Sequence, residues 1–164
     1  MMRLMALTIS LAERTLNRID RIAREIIIEV SGIADLLEAM RDYSEREHGD
    51  ERSLISLIDR ALDEVASLAD VLDRLLDIDA MRELVYDVAK AMDLVDEAKR
   101  MYSLVLKLLA QILDQHGELI PEMYSFQAIK YLDREDRLMR LLDAVVSNYE
   151  QYYIAELSLE EEEA

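Results

Sequence analysis

The sequence predicts an all-α protein, an antiparallel bundle of four to five long helices with coiled-coil-like packing. The first observation is a heptad pattern, in which apolar residues recur at alternating intervals of three and four. The second is that 164 residues contain one proline and three glycines, so helix interruptions are rare. The third is that the alternating β-branched runs typical of strands are absent. The heptad pattern is unbroken over the opening stretch, at Met2, Met5, Ile9, Ala12, Leu16, Ile19, Ala23, Ile26, Val30, Ile33, Leu37 and Met40.

The first two helices are predicted to form a hairpin. The first spans about residues 4–47, contains Gly32, and ends at His48-Gly49, where glycine tolerates the left-handed conformation. The second follows Asp50, which is a suitable N-cap. Its apolar seam is Leu54, Ile58, Ala61, Val65, Leu68, Leu72 and Leu75.

The heptad register changes after the second helix. We interpret residues 77–79 as a tight turn in which Asp79 caps a third helix. A single bent helix through this point is the alternative. The third helix is predicted to end at His116-Gly117. Its seam is Met81, Leu84, Val88, Ala91, Val95, Ala98, Tyr102, Val105, Leu109 and Ile112.

The last segment is predicted to be helical from Pro121, a residue tolerated at the first helical position. Residues 133–137 contain no apolar side chain, so this segment is either one helix or a short helix (122–132) followed by a longer one (134–157).

The length and composition predict one domain over residues 1–159, with a frayed acidic tail at 160–164. The net charge of −17 argues against nucleic-acid binding, which needs Lys and Arg to neutralise phosphates. With no cysteine, disulfides, thiol catalysis and zinc–thiolate sites are excluded. Few thermolabile residues and many charges favour a thermophile-like cytoplasmic protein. No membrane insertion is expected, and we interpret the uncharged run from Leu4 to Ala12 as helix rather than signal sequence, because the heptad pattern continues through it.

The unequal lengths of the first two helices predict an interaction surface. At 1.5 Å per residue the first would be about 65 Å long and the second about 40 Å, so the beginning of the first extends beyond its partner. We expect a second copy of the chain to cover this apolar stripe and form a homodimer; a kink at Gly32 that folds the helix back is the alternative. Three tyrosines near the C-terminus are either a second contact site or one end of the core. The predicted interface residues are Met2, Met5, Ile9, Ala12, Leu16, Tyr149, Tyr152 and Tyr153.

Carboxylates four residues apart lie on one helix face and are candidate ligands for a divalent metal. The candidates are Asp59, Asp63, Asp73 and Asp77, with Glu38 and Asp42 as further possibilities. The sequence contains eleven acidic pairs at this spacing, whereas about eight are expected by chance from 36 acids in 164 residues, so a hydrated surface is the favoured interpretation.

Two segments, 61–75 and 91–98, resemble helices of PhoU-like phosphate-uptake regulators. The resemblance implies a helical regulator of phosphate transport whose Asp and Glu pairs hold surface metal ions. It would make the four aspartates named above ligands. This chain is shorter than that family leads us to expect and has no clear second copy of the motif.

The pattern as a whole predicts a non-catalytic protein that acts through protein–protein contacts, as a scaffold or regulator, without a cofactor. The chain contains no nucleophile–base pair and no glycine-rich phosphate loop. The alternative is the PhoU-like regulator with bound divalent metal.

Overall fold

The computed structural model describes residues 2–47, 52–77, 79–80, 83 and 87–163. Within these residues the chain is almost entirely helical and has no strand, so the predicted all-α fold is confirmed. A short 3-10 turn, Gly117–Leu119, lies between the third and fourth helices. The five α-helices of the described residues are α1 (Met2–Glu47), α2 (Arg52–Leu76), α3 (Val88–His116), α4 (Glu122–Asp133) and α5 (Glu135–Glu163).

Four long helices pack side by side around one core. α1 contacts α2 and α5, and α3 contacts the same two helices from the opposite side. Short connections make α2 antiparallel to α1, and the segment of α4 and α5 antiparallel to α3. Ion pairs join neighbours across the ring, such as Arg41 of α1 with Asp59 of α2 at 3.5 Å, and Lys99 of α3 with Asp143 of α5.

The core is formed by the residues that the heptad pattern selects. Every predicted seam residue of α2 is buried, and so is every predicted seam residue of α3 from Ala91 onward. In α1 the seam is buried from Ile19 to Met40. The predicted seam positions Met81 and Leu84 lie outside the described residues. The bundle forms because the apolar stripe of each helix is removed from water only when it packs against the apolar stripes of neighbouring helices.

The connection between α2 and α3 differs from its predicted form. α2 ends at Leu76, so a single bent helix is not formed. The carboxylate of Asp77 accepts hydrogen bonds from the backbone N–H groups of Asp79 and Ala80 at 3.0 and 3.3 Å. The residue that caps α3 is Asp87, which accepts from the Lys90 N–H at 3.1 Å. The predicted cap at Asp79 was therefore wrong, since several aspartates compete for this role in the same loop.

The fourth side of the ring consists of two helices. α4 and α5 are separated at Arg134, as the second of our two interpretations of this segment predicts. Pro121 immediately precedes α4, one position before the predicted one. α5 continues through Glu163, so residues 160–163, expected to fray, are helical here.

Candidate functional site

The ends of α1 and α5 form a two-helix arm beyond α2. We use the name arm for residues 2–16 of α1 and residues 151–163 of α5. The hydroxyl of Tyr149 donates to the backbone carbonyl of Leu75 at 3.2 Å, which marks the level on α5 where α2 ends. Beyond that level α1 packs on α5, which returns antiparallel to it. The beginning of α1 is therefore partly covered by its own chain.

One face of the arm carries exposed leucines. Leu4, Leu7 and Leu11 are 60%, 59% and 48% exposed. Their spacing of three and four residues places them on one side of α1, away from the buried seam. This stripe, which we call the leucine stripe, has no counterpart in the rest of α1, where the exposed faces are mostly charged. A helix that is apolar on several faces is normally buried on several faces.

A groove runs along the inner side of the arm. It has a volume of about 380 Å³ and an apolar floor where Ile9, Ala12 and Leu16 of α1 meet Tyr152 and Leu159 of α5. The first three are predicted seam residues, so the groove lies on the continuation of the core seam of α1.

The structure divides the predicted interface residues between surface and core. Those that remain accessible are at the tip of the arm, where Met2 and Ile9 are exposed and Met5 is half-buried. We predicted that a second copy, or a kink at Gly32, would cover the apolar seam at the start of α1. Instead, α1 is one helix through Gly32, and α5 of the same chain buries the remaining predicted interface residues. Tyr149 and Tyr152 lie in the chain's own core, in agreement with the core alternative and not with an accessible contact site. The residues withdrawn from the surface wholly or in part are Ala12, Leu16, Tyr149, Tyr152 and Tyr153.

Charge is distributed unevenly along the arm. Arg14, Arg18 and Arg21 are exposed at its base and form no ion pair with another described residue. Glu160 and Glu161 are exposed at its tip, and two more glutamates follow them in the sequence. The tip is therefore acidic on balance although Arg3 is exposed there too, and the base carries both signs because Glu13 is exposed beside Arg14.

A polar cluster lies inside the bundle where α4 meets α5. The carboxylate of Glu29, whose side chain is 11% exposed, lies 3.6 Å from the Arg134 guanidinium. One of its oxygens, Oε2, is buried without a hydrogen-bond partner, and so is the hydroxyl of Tyr102. Burial, and after it the Glu29 charge, raises the pKa of Tyr102. Burial raises the pKa of Tyr131 as well, again with Glu29 as the second cause.

Gly32 allows α4 to approach α1 closely beside this cluster. A Cβ atom at this position would overlap the Tyr131 hydroxyl and lie 3.2 Å from the ring carbon Cζ. The glycine therefore serves packing and not backbone geometry, since its backbone is ordinary α-helix and a side chain here would displace the Tyr131 ring.

The four candidate metal ligands of α2 do not converge. Asp59 pairs with Arg41, Asp77 caps the following turn, and Asp63 and Asp73 are exposed. Among the described residues, no group of three or more His, Asp or Glu side chains is arranged to hold a metal ion. Asp20 and Arg24, four residues apart on α1, form an ion pair at 3.0 Å.

A smaller apolar surface lies on α4. Met123, Phe126 and Ile129 are exposed and share one side of this short helix. The sequence did not single them out, because the apolar content of α4 matches that of a core helix.

The leucine stripe was missed for a related reason. Its signal was the uncharged run from Leu4 to Ala12, but the continuous seam inside that run accounted for it.

Comparison of the chain with protein-family models, with curated proteins and with solved structures gives no match. No helix within the described residues has the length and apolar character needed to cross a bilayer. The arm, which has the largest share of exposed apolar side chains, is the candidate functional surface.

Proposed function

We propose that this chain is a non-catalytic interaction protein, a scaffold or regulator, that self-associates as a homodimer through its arm. The observation that carries the proposal is the leucine stripe. Leucines at helical spacing on one face of the arm are left exposed by the part of the chain that the structure describes, and exposed apolar patches mark contact sites.

The leucine stripe supplies apolar area for association. The exposed fractions of Leu4, Leu7 and Leu11 add up to about 1.7 whole side chains, and full burial of one is favourable by roughly 1.5–3 kcal/mol. Two chains that bury their leucine stripes against each other would thus gain about 5–10 kcal/mol, which is comparable to an association cost of roughly 4–15 kcal/mol.

The test compares a double variant in the leucine stripe with a single variant elsewhere on α1. Changing Leu7 and Leu11 to Glu places charges in the leucine stripe, whereas Ile28→Glu changes a residue that is 71% exposed on α1 outside the arm. Light scattering during size-exclusion chromatography should give twice the chain mass for the wild type and for Ile28→Glu, and the mass of one chain for the double variant.

Thermal unfolding followed by circular dichroism is the control for folding. All three proteins should be equally helical, because none of the changed side chains is in the core. A wild type that elutes as a monomer at every concentration contradicts the proposal, as does a dimer that survives the double change.

A further inference from the structure

We propose that α4 is a lid, which opens as a unit while the rest of the bundle stays folded and gives solvent access to the polar cluster beneath it. The lid consists of Glu122–Asp133. Its opening is independent of the proposed self-association, because the arm lies at the other end of α5.

α4 has the smallest share of buried residues among the five helices. All twelve of its residues are described, and Ala128 alone is buried, whereas α2 buries eight of its 25 residues. Three large apolar side chains are exposed on its outer face instead, those of Met123, Phe126 and Ile129. A helix of twelve residues is only marginally stable by itself in water. Segments with few buried apolar contacts open at a lower free energy than the whole protein, so α4 is the helix expected to open first.

The backbone at both ends of α4 is suited to a hinge. Before the helix, Ile120 and Pro121 are extended, with ψ angles of 131° and 141°. After it, Arg134 departs from helical geometry, with φ −95° and ψ 5°. α4 is therefore not a continuation of α3 or α5, and a change in the dihedral angles of a few residues is enough to move it.

The floor beneath the lid is polar. The Glu29 oxygen Oε2 and the Tyr102 hydroxyl are both buried without a hydrogen-bond partner. Tyr131 and Arg134 are among the groups that act on Tyr102 electrostatically, which places its hydroxyl at the inner side of the α4–α5 junction. Burial of an unpaired polar atom is unfavourable, and hydration removes the penalty. The closed lid therefore keeps an unfavourable floor dry, and the open lid allows water to reach it.

Two contacts of the described residues hold the end of the lid against α1. The Tyr131 side chain packs on Gly32, where a Cβ atom would overlap its hydroxyl. The Arg134 guanidinium lies 3.6 Å from the Glu29 carboxylate, a separation longer than a hydrogen bond. The population of the open lid follows from the balance between these contacts and the polar floor.

Thiol labelling tests the lid, because the chain contains no cysteine. Ala128→Cys places a thiol on the buried face of α4, and Ala98→Cys on α3 is the matched control, since both alanines are 0% exposed. In native buffer, a thiol-reactive dye should label Ala128→Cys at least about a hundredfold faster than Ala98→Cys. Its rate should hardly change with urea below the unfolding transition, because the opening of one short helix exposes little surface. Equal rates that rise equally with urea would overturn the proposal, because α4 would then open only with the whole bundle.

Two changes in the Ala128→Cys chain should act in opposite directions. Gly32→Ala should speed labelling about tenfold, because the added methyl group displaces Tyr131 from the closed position. Tyr102→Phe should slow labelling about fivefold, because the closed lid no longer buries a hydroxyl without a partner. Unchanged labelling in both variants would contradict the roles of the packing contact and the polar floor.

Tyr149→Phe separates local opening from global unfolding. The Tyr149 hydroxyl bonds to Leu75 at the end of α2, away from α4, so its loss weakens the whole bundle without acting on the lid. Labelling of Ala98→Cys should therefore become faster in this background, whereas labelling of Ala128→Cys should not change. An equal increase at both positions would contradict the lid.

Hydrogen–deuterium exchange of the unmodified chain makes the test independent of the change at Ala128. Peptides from residues 122–133 should exchange at rates that low urea hardly alters, whereas peptides from residues 54–75 should exchange only through global unfolding. Equal protection of the two segments would contradict the lid and leave the proposed self-association untouched. A monomeric wild type that shows rapid exchange in 122–133 would remove self-association and retain the lid.

Discussion

Two buried tyrosines should respond with opposite signs to loss of the hydroxyl. Tyr102 and Tyr149 are both fully buried, but only Tyr149 has a hydrogen-bond acceptor. Its hydroxyl donates to the carbonyl of Leu75, in the last turn of α2, where carbonyl groups have no partner within the helix. The matched changes are Tyr149→Phe and Tyr102→Phe.

The magnitudes follow from the state of each hydroxyl. Tyr149→Phe removes a hydrogen bond and leaves the Leu75 carbonyl without its donor, which should lower the free energy of unfolding by about 1–2 kcal/mol. Tyr102→Phe removes a polar group that was buried without a partner, which should raise it by about 1 kcal/mol. The two variants should therefore differ by about 2–3 kcal/mol, although each loses one oxygen atom.

Urea unfolding followed by far-UV circular dichroism measures both variants. The slope with denaturant should be unchanged, so that the midpoints report stability alone. A Tyr102→Phe variant that is as unstable as Tyr149→Phe would refute the reasoning, because it would mean that the Tyr102 hydroxyl is bonded in solution.

Three further predictions concern packing, pH and metal. Gly32→Ala should lower the free energy of unfolding by about 1–2 kcal/mol, since a clash with Tyr131 outweighs the better helix propensity of alanine; in a Tyr131→Phe background, urea unfolding should show a much smaller loss. Burial raises the pKa values of Tyr102 and Tyr149 in the folded chain, so both ionise at lower pH in the unfolded chain. The melting temperature should therefore fall above about pH 10, and it should fall less in Tyr102→Phe/Tyr149→Phe. Under the PhoU-like alternative, elemental analysis of protein purified without chelator should find metal that Asp59→Asn/Asp63→Asn removes, whereas the interaction account expects a dimer that EDTA does not change.

The heptad pattern predicted the core well because it is a local property of each helix. A residue such as Ile26 or Leu68 is buried whichever helix lies opposite, so its burial follows from period alone. The helix ends were harder to place, because the α2–α3 connection contains several aspartates with equal capping ability. In the structure Asp77 and Asp87, and not Asp79, accept the capping hydrogen bonds from backbone N–H groups.

The candidate site was predictable only in part. The length difference between the first two helices correctly placed the beginning of α1 beyond α2. Whether the beginning of α1 is exposed depends on where α5 packs. That position is set by contacts between residues far apart in the sequence, which a local pattern does not reveal. α5 covers Ala12 and brings Tyr152 into the core, and the accessible surface is left to Leu4 and its stripe.

Hydrogen–deuterium exchange as a function of protein concentration tests the central claim most directly. If a second copy covers the arm, backbone amides at residues 2–16 and 151–163 should exchange more slowly as concentration rises through the dissociation midpoint, while the bundle core is unaffected. In Leu7→Glu/Leu11→Glu the arm should exchange rapidly at every concentration. Equal arm exchange at all concentrations, and in both proteins, would contradict the account.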